Sequence, residues 1–166
     1  MDALVIWFTE TLGPYISSKA VVFIISLMPI LELRGGLLAA SLLKIPEAQA
    51  IPICIIGNIL PIPFILLFIK QIFKWMKKFK IFRGLIEKME KRAMGKSDKI
   101  KRYEFWGLLF FVGIPLPGTG AWTGALIASL LGIDIKKSSV AILLGIALAC
   151  VIMYIISYGI LGSILG

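Results

Sequence analysis

Apolar residues run nearly unbroken from 50 to 69 and from 139 to 161, each run close to the roughly 20 residues that carry a helix across a bilayer. Ahead of each lies a shorter, interrupted run. In the first half the stretches 20–31 and 37–43 flank a break that reaches through Gly36, and a polar turn at 44–49 follows. In the second half 105–112 and 125–133 flank a break over 113–124, followed by a turn at 134–138. Each half therefore predicts a broken apolar segment and then a full span.

Sliding the chain on itself by 88 positions aligns 23–57 with 111–145 without a gap, with ten identities in thirty-five positions. They include Pro29 with Pro117, Gly36 with Gly124, Ala40 with Ala128, Ser41 with Ser129, Ile45 with Ile133 and Gly57 with Gly145. Such self-similarity is the mark of an internal repeat. Pieces of seven to twelve apolar residues are long enough to enter a bilayer and turn back, so each broken segment reads as a re-entrant hairpin; a single kinked crossing is the alternative. One hairpin plus one crossing per repeat would invert the second repeat relative to the first. The expected fold is an all-α integral membrane protein with two inverted repeats, each a re-entrant helical hairpin plus a transmembrane helix. It forms one membrane domain over 1–166, with an amphipathic N-terminal segment at 1–19, repeats at 20–69 and 105–166, and a basic segment at 70–104.

Composition agrees with a membrane setting: 59% of residues are hydrophobic and 16% charged, against roughly 25% charged in soluble domains. The net charge of +9 lies wholly in 70–104, which holds thirteen Lys/Arg and four Asp/Glu. A basic excess confined to one loop marks a cytoplasmic loop rather than a nucleic-acid footprint. It places the chain in the cytoplasmic membrane as a multi-pass protein whose 70–104 segment faces inward and can hold anionic lipid headgroups. Within it Phe82, Leu85, Ile86 and Met89 recur at helical spacing, with Arg83, Lys88, Lys91 and Arg92 on the other faces. The N-terminal stretch, with Asp2 and Glu10 where a signal peptide would be positive, reads as an interfacial helix. Cys54 and Cys150 sit in apolar runs as small hydrophobes. With no His and no metal-ligand cluster, no metal, cofactor or enzymatic constellation is expected.

Candidate chemistry concentrates at the two breaks. Glu32 and Arg34 interrupt the segment around Pro29, Gly35 and Gly36. A charge at the centre of a membrane helix costs about 2.5–3.5 kcal/mol on insertion scales, so each needs a partner, water or a use. An external loop or a structural ion pair is the plain reading, although positions i and i+2 of a helix do not face each other. Gly35 and Gly36 would allow an extended tip. In the functional reading Glu32 exchanges a proton, while Arg34 clamps an anionic group by its planar fork. The second break is polar through its backbone and hydroxyls, with Pro115, Pro117, Gly118, Thr119, Gly120, Trp122 and Thr123. At the repeat offset Glu32 falls on Gly120 and Arg34 on Trp122. Asn58, just ahead of Pro61 and Pro63, adds a polar contact and a kink in the first span.

On Glu32-Leu33-Arg34-Gly35 and the run from Pro115 to Gly124, the chain resembles the prokaryotic small multidrug export family, over about residues 20 to 160. That family is distantly similar to DedA-type membrane proteins, which pair two re-entrant hairpins and are implicated in moving lipid-linked phosphates. This chain departs from the DedA pattern in having no arginine in its second tip. The resemblance implies transport of a small amphipathic or lipid-like substrate. The readings it leaves open are proton-coupled export, a lipid-phosphate flippase, and a non-transporting scaffold bound to lipid or a partner. Two full spans are few to enclose a path, so self-association is expected.

Overall fold

A computed structural model describes residues 6, 7, 10, 11, 16–78, 83, 84, 86–88, 91, 97–116 and 118–160, and every regular element among them is helical. The first half supplies α1 (Ser18–Leu27), α2 (Glu32–Leu42), α3 (Glu47–Ile59) and α4 (Ile62–Met76). The second supplies α5 (Ser97–Gly113), α6 (Ala121–Leu131) and α7 (Ile135–Tyr154), which runs on into a π-helical turn at Ile155–Ile160. Two helical runs, Glu47–Trp75 and Ile135–Gly159, are long and apolar enough to cross a membrane. Residues 6, 7, 10 and 11 are helical, as are 83, 84, 86–88 and 91. The rest of the expected N-terminal helix, and Phe82, Leu85, Met89 and Arg92 of the basic helix, lie outside the described residues.

Several expected boundaries move. The first break is confined to 28–31, so Gly35 and Gly36 are buried inside α2 rather than forming an extended tip. Their lack of a side chain serves packing: a Cβ on Gly35 would lie 2.7 Å from Leu31 Cβ, and one on Gly36 would overlap Ser26 Oγ and come 2.9 Å from Cys54 Sγ. The second break takes in 114–116 and 118–120 among the described residues, leaving Thr123 and Gly124 helical. The helix before it starts at Ser97, inside the basic segment, and kinks at Glu104 (φ 32°, ψ −90°). The first long run is itself broken, because Pro61 and Pro63 lack amide donors and the i→i−4 ladder cannot continue through them. It stops at Ile59 and restarts at Ile62.

The repeat offset recurs in the contacts. Gly57 on α3 packs against α1, where a Cβ would lie 2.9 Å from Phe23 O; Gly145 on α7 packs against α5, where a Cβ would lie 2.8 Å from Leu109 O. The C-terminus of α2 closes with Ile45 N donating to Ala40 O, and that of α6 with Ile133 N donating to Ala128 O. This is the six-to-one bond of a Schellman end, which needs a residue at positive φ. Gly132 fills that position in the second half (φ 71°) and Lys44 in the first (φ 52°).

The halves also exchange contacts. α2 packs on α7 and its π-helical turn, and α6 packs on α4. Ser41 Oγ donates to Ser157 O (2.7 Å), while Ser129 Oγ donates to Leu66 O (3.4 Å). Each hydroxyl thus ties a short helix to the far part of the other half's long run. Tyr158 Oη adds a bond to Ile45 O (2.9 Å), closing the turn after α2. Cys54 and Cys150 are free and buried.

Gly145→Ala should lower the melting temperature of the detergent-purified protein by an overpacking cost of about 1–3 kcal/mol. Gly84→Ala, where nothing lies within 4 Å of the new Cβ, should leave it unchanged. Equal melting of the two variants would show that the α5–α7 approach is not close.

Candidate buried polar centre

Helix α6 begins inside the protein with no side-chain cap of its own. Its first amides are left without intrahelical acceptors, as at any helix start. Glu32 supplies the acceptors from the other half: Oε2 accepts from Ala121 N (2.9 Å) and Oε1 from Trp122 N (3.1 Å). The carboxylate also lies at the positive end of the α6 dipole, where an anion is favoured. Glu32 is 4% exposed, and it takes φ 51°, a left-handed conformation unusual outside glycine. That strain of about 1–3 kcal/mol persists only where surrounding contacts over-determine it.

Gly120, the repeat counterpart of Glu32, also sits at positive φ (137°), and a Cβ there would overlap the Glu32 carboxylate. The two matching positions meet face to face. There is room for one side chain between them.

Arg34 does the converse work at the C-terminal end of α5. Its Nη1 donates to Leu116 O (2.8 Å), and its Nη2 lies within reach of Thr119 Oγ1 (3.0 Å), Ile114 O (3.3 Å) and Val112 O (3.4 Å). Carbonyls past the last helical turn have no intrahelical donors, and a cation suits the negative end of the dipole. Thr119 reinforces the loop, its Oγ1 lying 2.9 Å from Ile114 O and 2.8 Å from Leu116 O. No ion pair joins Glu32 to Arg34; both reach across to backbone of the second half. The structural-pair reading is thereby corrected, because the unpaired backbone of a broken helix is the stronger local demand.

Trp122 returns the contact. Its Nε1 donates to Leu27 O (3.1 Å), the last carbonyl of α1, so each half caps the other's broken helix. The indole also walls an apolar groove of about 420 Å³, completed by Leu27, Leu60, Pro61, Phe64, Ile65, Ile69 and Ile72.

The sequence-predicted residues divide accordingly. Glu32, Arg34, Thr119, Gly120 and Trp122 come together. Pro29 is exposed in the first connection; Pro115 and Gly118 shape the second as backbone. Thr123 follows Trp122 on α6. Asn58 lies buried on α3 with its Oδ1 unpartnered among the described residues, and makes no bond to the centre. Pro117 lies outside the described residues. The partners that sequence reasoning missed are backbone groups, the amides of Ala121 and Trp122 and the carbonyls of Leu27, Val112, Ile114 and Leu116. The one signal for them was the offset that sets Glu32 opposite Gly120.

These features define a small helical membrane protein whose interior, among the described residues, holds one acid and one base between two broken helix pairs. Residues 32–152 match the family described as "Putative small multi-drug export protein", and the chain belongs to that family. The match opens on Glu32 itself and closes within α7. The family's description points to export rather than catalysis. No curated protein and no solved structure gives a significant match.

Gly120→Ala should disturb the centre without touching a charge, since the new methyl overlaps the carboxylate at a backbone angle that disfavours it. The expected result is a loss of about 1–3 kcal/mol or more of stability, read as a lower melting temperature that the double variant Gly120→Ala/Glu32→Ala partly restores. If Gly120→Ala melts like wild type, the two tips are not in contact.

Proposed function

We propose that the protein exports a small amphipathic solute across the cytoplasmic membrane in exchange for protons, with Glu32 as the proton site. The observation that carries this is the position of the carboxylate. Glu32 is the sole buried acid among the described residues, and its two oxygens join the halves through the Ala121 and Trp122 amides. An anionic carboxylate suits two donors. A proton on either oxygen makes that oxygen a weaker acceptor and removes the charge that suits the α6 N-terminus, so proton uptake loosens the joint between the two tips.

In this reading α1–α2 and α5–α6 are re-entrant hairpins. Helices of 10 or 11 residues, such as α1, α2 and α6, reach about 15 Å at 1.5 Å per residue, half of a hydrocarbon core of about 30 Å. One hairpin and one crossing per half gives inverted repeats, a frame suited to alternating access. The 70–104 segment then lies in the cytoplasm against anionic headgroups, and copies associate to enclose the path. The other residues of the two tips, Pro29, Pro115, Gly118 and Thr123, line the site in the same reading.

A lipid-phosphate carrier would use Arg34 as its clamp. Its guanidinium already serves four acceptors at the α5 end and the second break, and withdrawing it would strip three carbonyls and the Thr119 hydroxyl of their donor. Export driven through Glu32 therefore has the better support. A scaffold would use the carboxylate only as a fixed cap on α6, and its activity would survive neutralisation of Glu32.

The test is uptake of a lipophilic cation into proteoliposomes driven by an imposed pH gradient. Glu32→Gln should reduce gradient-driven uptake to the level of empty liposomes while the protein stays monodisperse. Arg34→Gln should chiefly lower thermal stability, as the loss of charge-assisted bonds of about 1.5–3 kcal/mol implies. Wild-type uptake by Glu32→Gln would sink the proposal.

A further inference from the structure

The turn between α6 and α7 ends beside the outer part of α4. Ser129 on α6 reaches Leu66 O on α4, and one turn further along both helices a Cβ on Gly132 would lie 3.9 Å from Lys70 Nζ. The two helices therefore run side by side in the same direction, and the turn after α6 is carried to the level at which α4 becomes basic. Lys70 and Lys74 stand one helical turn apart on α4, while Lys136 and Lys137 open α7, and all four are exposed. Asp134 is the acid of this turn, and its Oδ1 accepts from Lys137 N as the cap of α7.

The repeat shows that this charge is not a requirement of the turn itself. At the offset of 88, Lys136 and Lys137 fall on Ala48 and Gln49 of the first half's matching turn, where Lys44 and Glu47 balance. That turn lies at the far end of α7, where Ser41 and Ile45 meet Ser157 and Tyr158. Equivalent turns thus sit at opposite ends of α7, and the one beside the basic end of α4 carries the excess of lysine. The apolar surface changes at the same level. Exposed Phe64, Phe68 and Ile72 on α4 give way to Lys74 and exposed Trp75, and on α7 the two lysines precede exposed Val140 and Leu144. Tryptophan at the limit of an apolar surface belongs to the headgroup layer, and long lysine side chains reach into that layer.

We infer that Lys70 and Lys74 together with Lys136 and Lys137 form one seat for the phosphate of an anionic phospholipid, shared between the two halves. The inference rests on the membrane orientation proposed above. It adds a defined site, half of it supplied from outside the 70–104 segment, to a basic charge otherwise spread along that segment. A zwitterionic headgroup carries its own cation, so four lysines against Asp134 favour a lipid of net negative charge. Occupancy also has a structural effect. Lys70 and Lys74 lie on α4 beyond the Pro61 break, so a phosphate held by both pairs of lysines ties the outer part of the first long run to the start of the second.

The experiment is binding of a fluorescent phosphatidylglycerol to the purified full-length protein in neutral detergent, with phosphatidylcholine and soluble glycerol phosphate as competitors. Two variants remove the seat by halves, Lys70→Gln/Lys74→Gln and Lys136→Gln/Lys137→Gln. A third, Lys88→Gln/Lys91→Gln, makes the same change of charge at exposed positions elsewhere in the basic segment. The expected result is affinity weakened about tenfold by each of the first two and about twofold at most by the third, with phosphatidylcholine and glycerol phosphate competing poorly. Equal losses in all three variants would mean diffuse attraction to the basic segment and overturn the seat. Wild-type affinity in Lys136→Gln/Lys137→Gln would remove the second half from it and overturn the inference as well. Displacement by glycerol phosphate as readily as by phosphatidylglycerol would mark a site for soluble phosphate and overturn the lipid assignment. Proton-driven uptake by a wild type that shows no preference for phosphatidylglycerol would overturn the seat and leave the export reading standing.

Discussion

A helix that stops inside a protein leaves unpaired amides at one end and unpaired carbonyls at the other, and each of these that is buried needs a partner. This chain carries two such interruptions, between α1 and α2 and between α5 and α6, and its architecture follows from how they satisfy one another. Glu32 takes the free amides of α6, Arg34 takes the free carbonyls past α5, and Trp122 takes the last carbonyl of α1. The charges that look costly along the sequence are the complement of the breaks. A charge-assisted bond to an unpaired backbone group is stronger than a neutral one, so one acid and one base fasten what would otherwise need many uncharged contacts.

The internal repeat is obeyed in its scaffolding and broken at its centre. Glycines at matched positions permit matched close approaches, matched serines reach across to the other half, and both second helices end in the same turn. At the meeting point equality is sterically impossible, because Glu32 and Gly120 face each other and only one can carry a side chain. The same asymmetry extends to Arg34 against Trp122 and to the proline break against the continuous α7. Every feature with chemical potential lies where the halves differ.

Much of this was legible in the sequence, and the rest was hidden for identifiable reasons. The two long apolar runs, the broken segments ahead of them and the charged pair are visible because apolar runs and isolated charges are side-chain properties. The proline kink near Asn58 was also readable, since a missing amide is a property of the residue. The partners of Glu32 and Arg34 were not, because amides and carbonyls are common to every position. Gly35 and Gly36 misled for a related reason: glycine signals either an unusual backbone angle or a close neighbour, and here the neighbour won. The unusual angle fell instead on Glu32, where the geometry of the break demands it and the residue type gives no warning.

The bonds from Glu32 to the second half span 89 and 90 positions of chain. During synthesis at roughly 5–20 residues per second, the first half emerges several seconds before the amides it must cap exist. Throughout that interval its acid and base have no native partner. The burial of Glu32 and Arg34 is therefore completed only by the arrival of the second half. The two halves are in this sense a single folding unit delivered in instalments, and the whole length of chain between Glu32 and Ala121 sets the delay.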